Sequence, residues 1–400
     1  MQVKTTMPRN QFRIIVGSYE HNLLCLSLDL SLSTPLFTPI FHFQAHSLSV
    51  KCLDVSKRYL VSGSNDEHIR IYDLQKRKEL GTLLSHQGSV TNLRFSRGKK
   101  PDSSEETVDG KGSGNKWLLS SSEDHKIIVW RVKDWENFGT LKGHTARIND
   151  LDIHPSNRVA VSVSDDHSIR LWNLMTVKKA GVLKLRKYNE NGQYVRWCGE
   201  NGEFFAVGLL TKVLLFKTAT AKVHREISVG KQTIMHIEVE TIGDKEYLCV
   251  GLSDGNVQFY PTASLYSDIG EADDEEKQQE EPEFSLLGHS NRVKDFKFYN
   301  NENGKYLVTV GSDGRIVVWD MNTKDQVAVY DCGERLNCLA LCDESVEKYD
   351  TVKKRDLETA DLGEQSEVEA DSEELKKIML GKKKRSKKGK KSKKVSIQLE

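Results

Sequence analysis

The sequence predicts an all-β chain assembled from a repeated antiparallel unit, and three observations lead there. The first is the stretch 144–174, HTARINDLDIHPSNRVAVSVSDDHSIRLWNL. After a polar opening, Ile148, Leu151 and Ile153 begin one alternating run and 159–163 forms another. A tight Ser164-Asp165-Asp166-His167 turn then leads into Ile169-Arg170-Leu171-Trp172. Alternation with period two, broken by turn residues, is the pattern of meandering strands. The second observation is recurrence: Asp66, Asp124, Asp166, Asp254 and Asp313 stand six residues before Tyr72, Trp130, Trp172, Tyr260 and Trp319. The third is that in four of these five copies a hydroxyl (Ser62, Ser120, Ser162, Thr309) lies four residues before the Asp, with a histidine upstream (His46, His86, His144, His289). Chance would scatter such spacings.

Four residue types in one fixed order resemble the WD-repeat family, and what that resemblance implies is a β-propeller. The need for the residues can be stated independently. A sheet stacked face to face against its neighbours buries the polar groups of its own turns, and buried polar groups must find partners. An Asp can accept from backbone N–H groups and an imidazole, the hydroxyl can hold the other side of the imidazole, and an aromatic N–H or O–H can complete the chain.

In chain order, 12–18 and 22–28 alternate as two strands around Tyr19-Glu20-His21, and 37–43 reads as a third with Pro35 and Pro39 near its exposed edge. These strands lack a first partner. The apolar run 336–341 (LNCLAL) has no continuation of its own, so joining it to them would close the ring and remove an open edge. Further units begin near Val50, Val90, Ile148, Tyr194, Ile234 and Val293, which makes the expected fold a seven-bladed propeller over 1–342. Two units look degenerate. The one from Tyr194 has Leu210-Thr211-Lys212 where the turn Asp should be, and the one from Ile234 keeps Asp254 and Tyr260 without the histidine. Both are expected to be held by packing alone.

Composition fits this reading. The 400 residues are 37% hydrophobic, enough for a core in the repeats. Seven cysteines (Cys25, Cys52, Cys198, Cys249, Cys332, Cys338, Cys342) are an odd number with no CxxC pairing, so reduced core thiols are expected. No leader pattern opens the sequence and no apolar stretch approaches membrane length, so a soluble cytosolic or nuclear protein without membrane contact is expected.

The net charge of +1 hides strong segregation. Two insertions, 97–116 and 267–283, interrupt the rhythm. Both are expected to be disordered and to leave from one face, opposite the histidine-bearing loops. The second carries nine acidic residues against one Lys, either a solvated loop or a strip for a basic partner. Beyond 342 the repeat stops: 356–374 has nine acidic residues and no basic one, and 373–380 has helical spacing of Leu375, Ile378 and Met379. Then Lys382, Lys383, Lys384, Arg385, Lys387, Lys388, Lys390, Lys391, Lys393 and Lys394 fill ten of thirteen positions. So dense a run cannot enter a core. It matches an import signal, and counterion release would draw it to nucleic acid without reading sequence.

His144, Ser162 and Asp166 supply the residue types of a nucleophilic triad. An active site is normally single, however, whereas this set recurs four times, so a structural role is expected. No metal-ligand spacing and no Gly-rich phosphate loop is present, and neither enzyme activity nor a cofactor is expected. Function then belongs to surfaces. Arg147 and Arg292, three residues after blade histidines, and Arg335 in a similar position, are candidates for holding phosphate or a partner's carboxylates at the mouth of the ring.

A narrower resemblance emerges from Ile15-Val16-Gly17-Ser18-Tyr19-Glu20-His21, the run 63–95, His154-Pro155-Ser156, Ser168-Ile169-Arg170-Leu171-Trp172-Asn173-Leu174, Asn291-Arg292-Val293-Lys294-Asp295 and Arg335-Leu336-Asn337-Cys338-Leu339. Together, over about 12–342, they are similar to the family of PAK-interacting WD-repeat proteins, whose fungal members are the maintenance-of-killer assembly factors of the large ribosomal subunit. The resemblance implies a non-catalytic nucleolar scaffold of the pre-60S particle. Its partners would be assembly factors, ribosomal proteins and, through the basic run, rRNA, with the chain a monomer within the particle. The alternative it implies is a negative regulator that binds a PAK-type kinase.

Overall fold

The computed structural model describes residues 10–97, 116–199, 201–267 and 280–347. They form seven four-stranded antiparallel sheets, the blades of a propeller. Blade 2 runs from the axis outward as Val50–Ser56, Tyr59–Ser64, Ile69–Asp73 and Lys78–Leu83. Blade 3 is Val90–Phe95, Trp117–Ser122, Lys126–Arg131 and Glu136–Lys142, and blade 4 is Ile148–Ile153, Val159–Ser164, Ser168–Asn173 and Lys178–Lys184. Blade 5 is Tyr194–Cys198, Phe204–Gly208, Lys212–Lys217 and Lys222–Ser228. Blade 6 is Ile234–Ile242, Lys245–Leu252, Asn256–Pro261 and Phe284–Leu287, and blade 7 is Val293–Asn301, Gly304–Gly311, Arg315–Asp320 and Asp325–Asp331.

Blade 1 closes the ring from both ends of the repeat region. Its inner strand is Leu336–Asp343, followed outward by Gln11–Ser18, Asn22–Asp29 and Leu36–Gln44. Ile14 lies opposite Leu341 and Val16 opposite Leu339, so backbone groups that would form an open edge are paired. A clasp follows: Arg13 reaches Glu344 and Glu347, both at 2.8 Å, and Arg77 of the neighbouring blade also pairs with Glu347.

The core is divided as the sequence pattern requires. Seven apolar clusters form, each filled from two adjacent blades; Phe12, Val16 and Leu339 meet Val308 and Val318 between blades 1 and 7, for example. Middle strands are almost wholly buried, as in Tyr59–Ser64 and Val159–Ser164. Outermost strands such as Lys78–Leu83 and Lys178–Lys184 have no buried residue and carry lysines, which discourage pairing with another chain. Close approach between blades also selects residues: a Cβ on Gly17 would come within 2.7 Å of Val50 Cγ1, and one on Gly63 within 2.7 Å of Val90 Cγ1.

One element was not legible in the sequence. A short helix, Thr262–Tyr266, leaves blade 6 and sets the Tyr266 ring flat on Phe204 of blade 5, 4.4 Å between centroids. Most of both insertions, the helical spacing at 373–380 and the basic run 382–394 lie outside the described residues. Among the described residues no helix is long and apolar enough to cross a membrane. Six of the seven cysteines are buried, all are unpaired, and burial pushes the thiols of Cys25, Cys52 and Cys249 upward.

Candidate partner-binding face and central channel

Four blades carry the repeated polar set, and the structure assembles each within one blade. In blade 4, His144 sits between Asp166, 2.8 Å from Nδ1, and Ser162, 2.8 Å from Nε2, while Trp172 Nε1–H donates to the same Ser162 Oγ at 2.8 Å. Blade 3 repeats this with His86, Asp124, Ser120 and Trp130 at 3.1, 2.8 and 2.9 Å. Blade 2 places His46 against Asp66 and Ser62, and blade 7 places His289 against Asp313 and Thr309, with Trp319 more distant at 3.4 Å. Each Asp also accepts the backbone N–H that follows the histidine, at Ser47, Gln87, Thr145 and Ser290.

The aromatic residue does not complete the chain everywhere. In blade 2 the Tyr72 hydroxyl is buried near Ser62 without a hydrogen bond of normal geometry, and its ring packs edge-on to Phe43 instead. An indole places its N–H partway along the ring system, whereas a phenol carries its O–H at the far tip. From the same register position the phenol therefore comes near Ser62 Oγ without meeting it in hydrogen-bond geometry.

Protons can be allotted around the set with a neutral imidazole. The indole N–H donates to the hydroxyl, the hydroxyl donates to Nε2, and Nδ1–H donates to the carboxylate. Burial pushes His46, His144 and His289 down, against the pull of their carboxylates. Burial alone would raise the Asp partners, but the histidine and backbone N–H groups outweigh it: Asp66, Asp166 and Asp313 fall below the usual range and Asp124 falls to about 2. Ser62, Ser120 and Ser162 are 0% exposed. A hydroxyl sealed behind its own blade meets no substrate, so the residue types of a triad are present without the access one needs. Among the described residues no group of His, Cys, Asp and Glu is arranged to hold a metal.

Blades 5 and 6, expected to rest on packing alone, require correction. Their polar investment lies at the axis. Arg196 of blade 5 donates from Nη1 to Asp150 of blade 4 at 2.6 Å and from Nε to Glu238 of blade 6 at 3.1 Å. Arg94 of blade 3 reaches Glu238 across the channel at 3.2 Å, and Lys297 of blade 7 also pairs with it. His236 stands 3.4 Å from Glu238 and 3.2 Å from Asp295. Burial would raise Glu238, yet Arg196, Lys297 and Arg94 hold its carboxyl well below the usual range. Burial keeps His236 low.

Carboxylates of the inner strands also stitch blade to blade through the backbone. Asp54 accepts from Phe95 N–H at 2.7 Å and Asp150 from Val195 N–H at 3.0 Å. Asp152 accepts from Trp197 N–H and Asp295 from Leu339 N–H, both at 2.9 Å. None of these residues was singled out from the sequence, because nothing in local spacing marks partners that belong to different blades.

Above this ionic floor the channel opens as a cavity of about 210 Å³ toward the face that bears the histidines. Of the arginines read as its mouth, Arg147 lines the cavity and pairs with Glu123 at 3.2 Å. Arg292 and Arg335 are exposed just before their inner strands, and the Arg335 backbone joins the ring closure through Tyr19 N–H and Glu20. Lys51 and Lys294 also line the cavity and were missed.

Comparison with known proteins gives the chain its relatives. The family described as WD domain, G-beta repeat matches 37–73, 135–173 and 280–320, each stretch covering one outer strand and the first three strands of the next blade. Protein MAK11 of Saccharomyces cerevisiae is 67% identical over 98% of this chain and 99% of its own length. The p21-activated protein kinase-interacting protein 1-like of Gallus gallus is 31% identical over 76% of this chain and 73% of its own. Shk1 kinase-binding protein 15 of Schizosaccharomyces pombe is 24% identical over 90% and 95%.

Proposed function

The chain belongs to the WD-repeat family that includes MAK11 and the p21-activated protein kinase-interacting protein 1-like proteins, and on that premise we propose that it is a non-catalytic scaffold in assembly of the large ribosomal subunit. The observation that carries this reading is the 67% identity to MAK11 along nearly the whole of both chains, joined to what the motifs of blades 1, 2, 4 and 7 imply by resemblance. The buried hydroxyls support a docking role over catalysis, since their polar groups are spent inside the blades. The propeller is a rigid platform for assembly factors and ribosomal proteins, and the run 382–394 supplies nucleolar import and attraction to rRNA.

Affinity purification of the tagged protein tests this. Pre-rRNA and large-subunit assembly factors should co-purify, and recovery without either removes the proposal. A second reading, binding of a regulatory segment of a kinase, is favoured by the names of the more distant relatives. It predicts direct, RNA-independent capture of a p21-activated kinase by the purified chain, and failure of that capture counts against it.

A further inference from the structure

The channel has two tiers of different electrical character. In the lower one, Arg94, Arg196 and Lys297 face Asp150, Glu238 and Asp295, and charge is matched within ion-pair distance. In the upper one, Lys51, Arg147 and Lys294 line the same cavity and Arg292 stands beside them, while the carboxylate that reaches this group is Glu123, itself 37% exposed and bound to Arg147. Lys51 and Lys294 make no side-chain hydrogen bond or ion pair among the described residues. Burial lowers the Lys294 pKa, and the charges of Lys51 and Arg292 lower it further. Arg147 Nε is buried without a partner.

Lys294 is half-buried among more exposed cations, of which Arg147 alone has a carboxylate partner among the described residues; cations crowded in this way repel one another, and an anion that completes them relieves the repulsion. The size of the opening narrows the choice of anion. About 210 Å³, walled by inner strands and floored by paired charges, holds a compact group and not a folded segment. A carboxylate brings one charge to three cations, whereas a diphosphate brings several charges and multiple acceptor oxygens. Arginine meets it with a fork of donors and lysine with point charges.

We infer that the upper tier of the channel is a binding site for a compact diphosphate-bearing anion, held among Lys51, Arg147 and Lys294. This inference stands apart from the scaffold reading, since either survives without the other.

The test uses inorganic pyrophosphate and the full chain near physiological salt, where weak surface attraction is screened. Thermal unfolding and calorimetry are compared for the wild type, K51Q/K294Q and the control Lys57→Gln, an exposed lysine in the first turn of blade 2 at the other end of the inner strand. Pyrophosphate should raise the melting temperature of the wild type and of K57Q, and bind K51Q/K294Q about tenfold more weakly. Without ligand, K51Q/K294Q should melt at or above the wild type, because repulsion has been removed. Equal stabilisation of the wild type and K51Q/K294Q by pyrophosphate overturns the site. A melting temperature of unliganded K51Q/K294Q below that of the wild type overturns the premise of uncompensated charge. A hexaglutamate peptide that stabilises the wild type as strongly as pyrophosphate overturns the ligand class.

Discussion

The polar sets of blades 2, 3, 4 and 7 and the ionic cluster at the axis perform one task in two ways. A blade set gathers His144, Ser162, Asp166 and Trp172 within a single sheet and pins that sheet's turns. The axial cluster gathers Arg94, Asp150, Arg196, Glu238 and Lys297 from five blades and pins the sheets to each other. Blades 5 and 6 lack the first device and contribute Arg196 and Glu238, the most connected members of the second. Polar burial in this ring is redistributed where the repeat degenerates.

Removing a member of each device sharpens the contrast. Glu238→Gln leaves Arg94 without its carboxylate in a buried site, with Arg196 and Lys297 keeping only Asp150 and Asp295, and should cost about 3–5 kcal/mol in chemical unfolding, the scale for a buried charge left unpaired. A loss below about 1 kcal/mol would place the axial charges in effective contact with water. Asp166→Ala strands one imidazole, two backbone N–H groups and the Ser168 hydroxyl and should cost about 1–3 kcal/mol. Asp254→Ala, in the blade without a histidine, should cost clearly less, and equal losses would erase the distinction between the two kinds of blade.

The buried histidines also make stability depend on pH. His46, His144, His236 and His289 have folded-state values below those of the unfolded chain, so between the two values the unfolded chain binds more protons and stability falls as pH falls. The Asp partners act in the same direction at lower pH, with Asp124 losing its contribution between its unfolded value of about 3.9 and about 2. The melting temperature should therefore drop from pH 7 to pH 5, and a flat or rising profile would mean that the histidines are charged in the fold. At the small end, Trp130→Phe removes an indole bond and should cost about 1 kcal/mol, while Tyr72→Phe, whose hydroxyl lacks a good partner, should be near neutral.

What was legible in the sequence follows the same division. The hydroxyl, Asp and aromatic of each blade set recur at fixed spacing because they lie on one hairpin, and the histidine precedes that hairpin by one strand, so His46 goes with Asp66 and His289 with Asp313 by order along the chain. Ring closure was legible because LNCLAL is an apolar strand with no neighbour and the strands 12–43 lack one. The axial cluster was not, since Arg94 and Glu238 are 144 residues apart and meet only when the ring is shut. Arg196 and Glu238 carry no local sign of their partners, and the expectation that blades 5 and 6 rest on packing alone follows from the histidine that both lack and the turn Asp that blade 5 lacks. The helix Thr262–Tyr266 escaped for a related reason: five residues are too few to show helical periodicity.

Charges from distant parts of the chain lock the blades together across the axis. A double-mutant cycle on Arg94 and Glu238, with Arg94→Met, Glu238→Leu and the pair measured in urea, isolates that lock. The interaction energy should exceed about 1 kcal/mol, the single changes together costing more than the double, as for residues within one buried network. Additivity within about 0.5 kcal/mol, the behaviour of sites that do not touch, would contradict it.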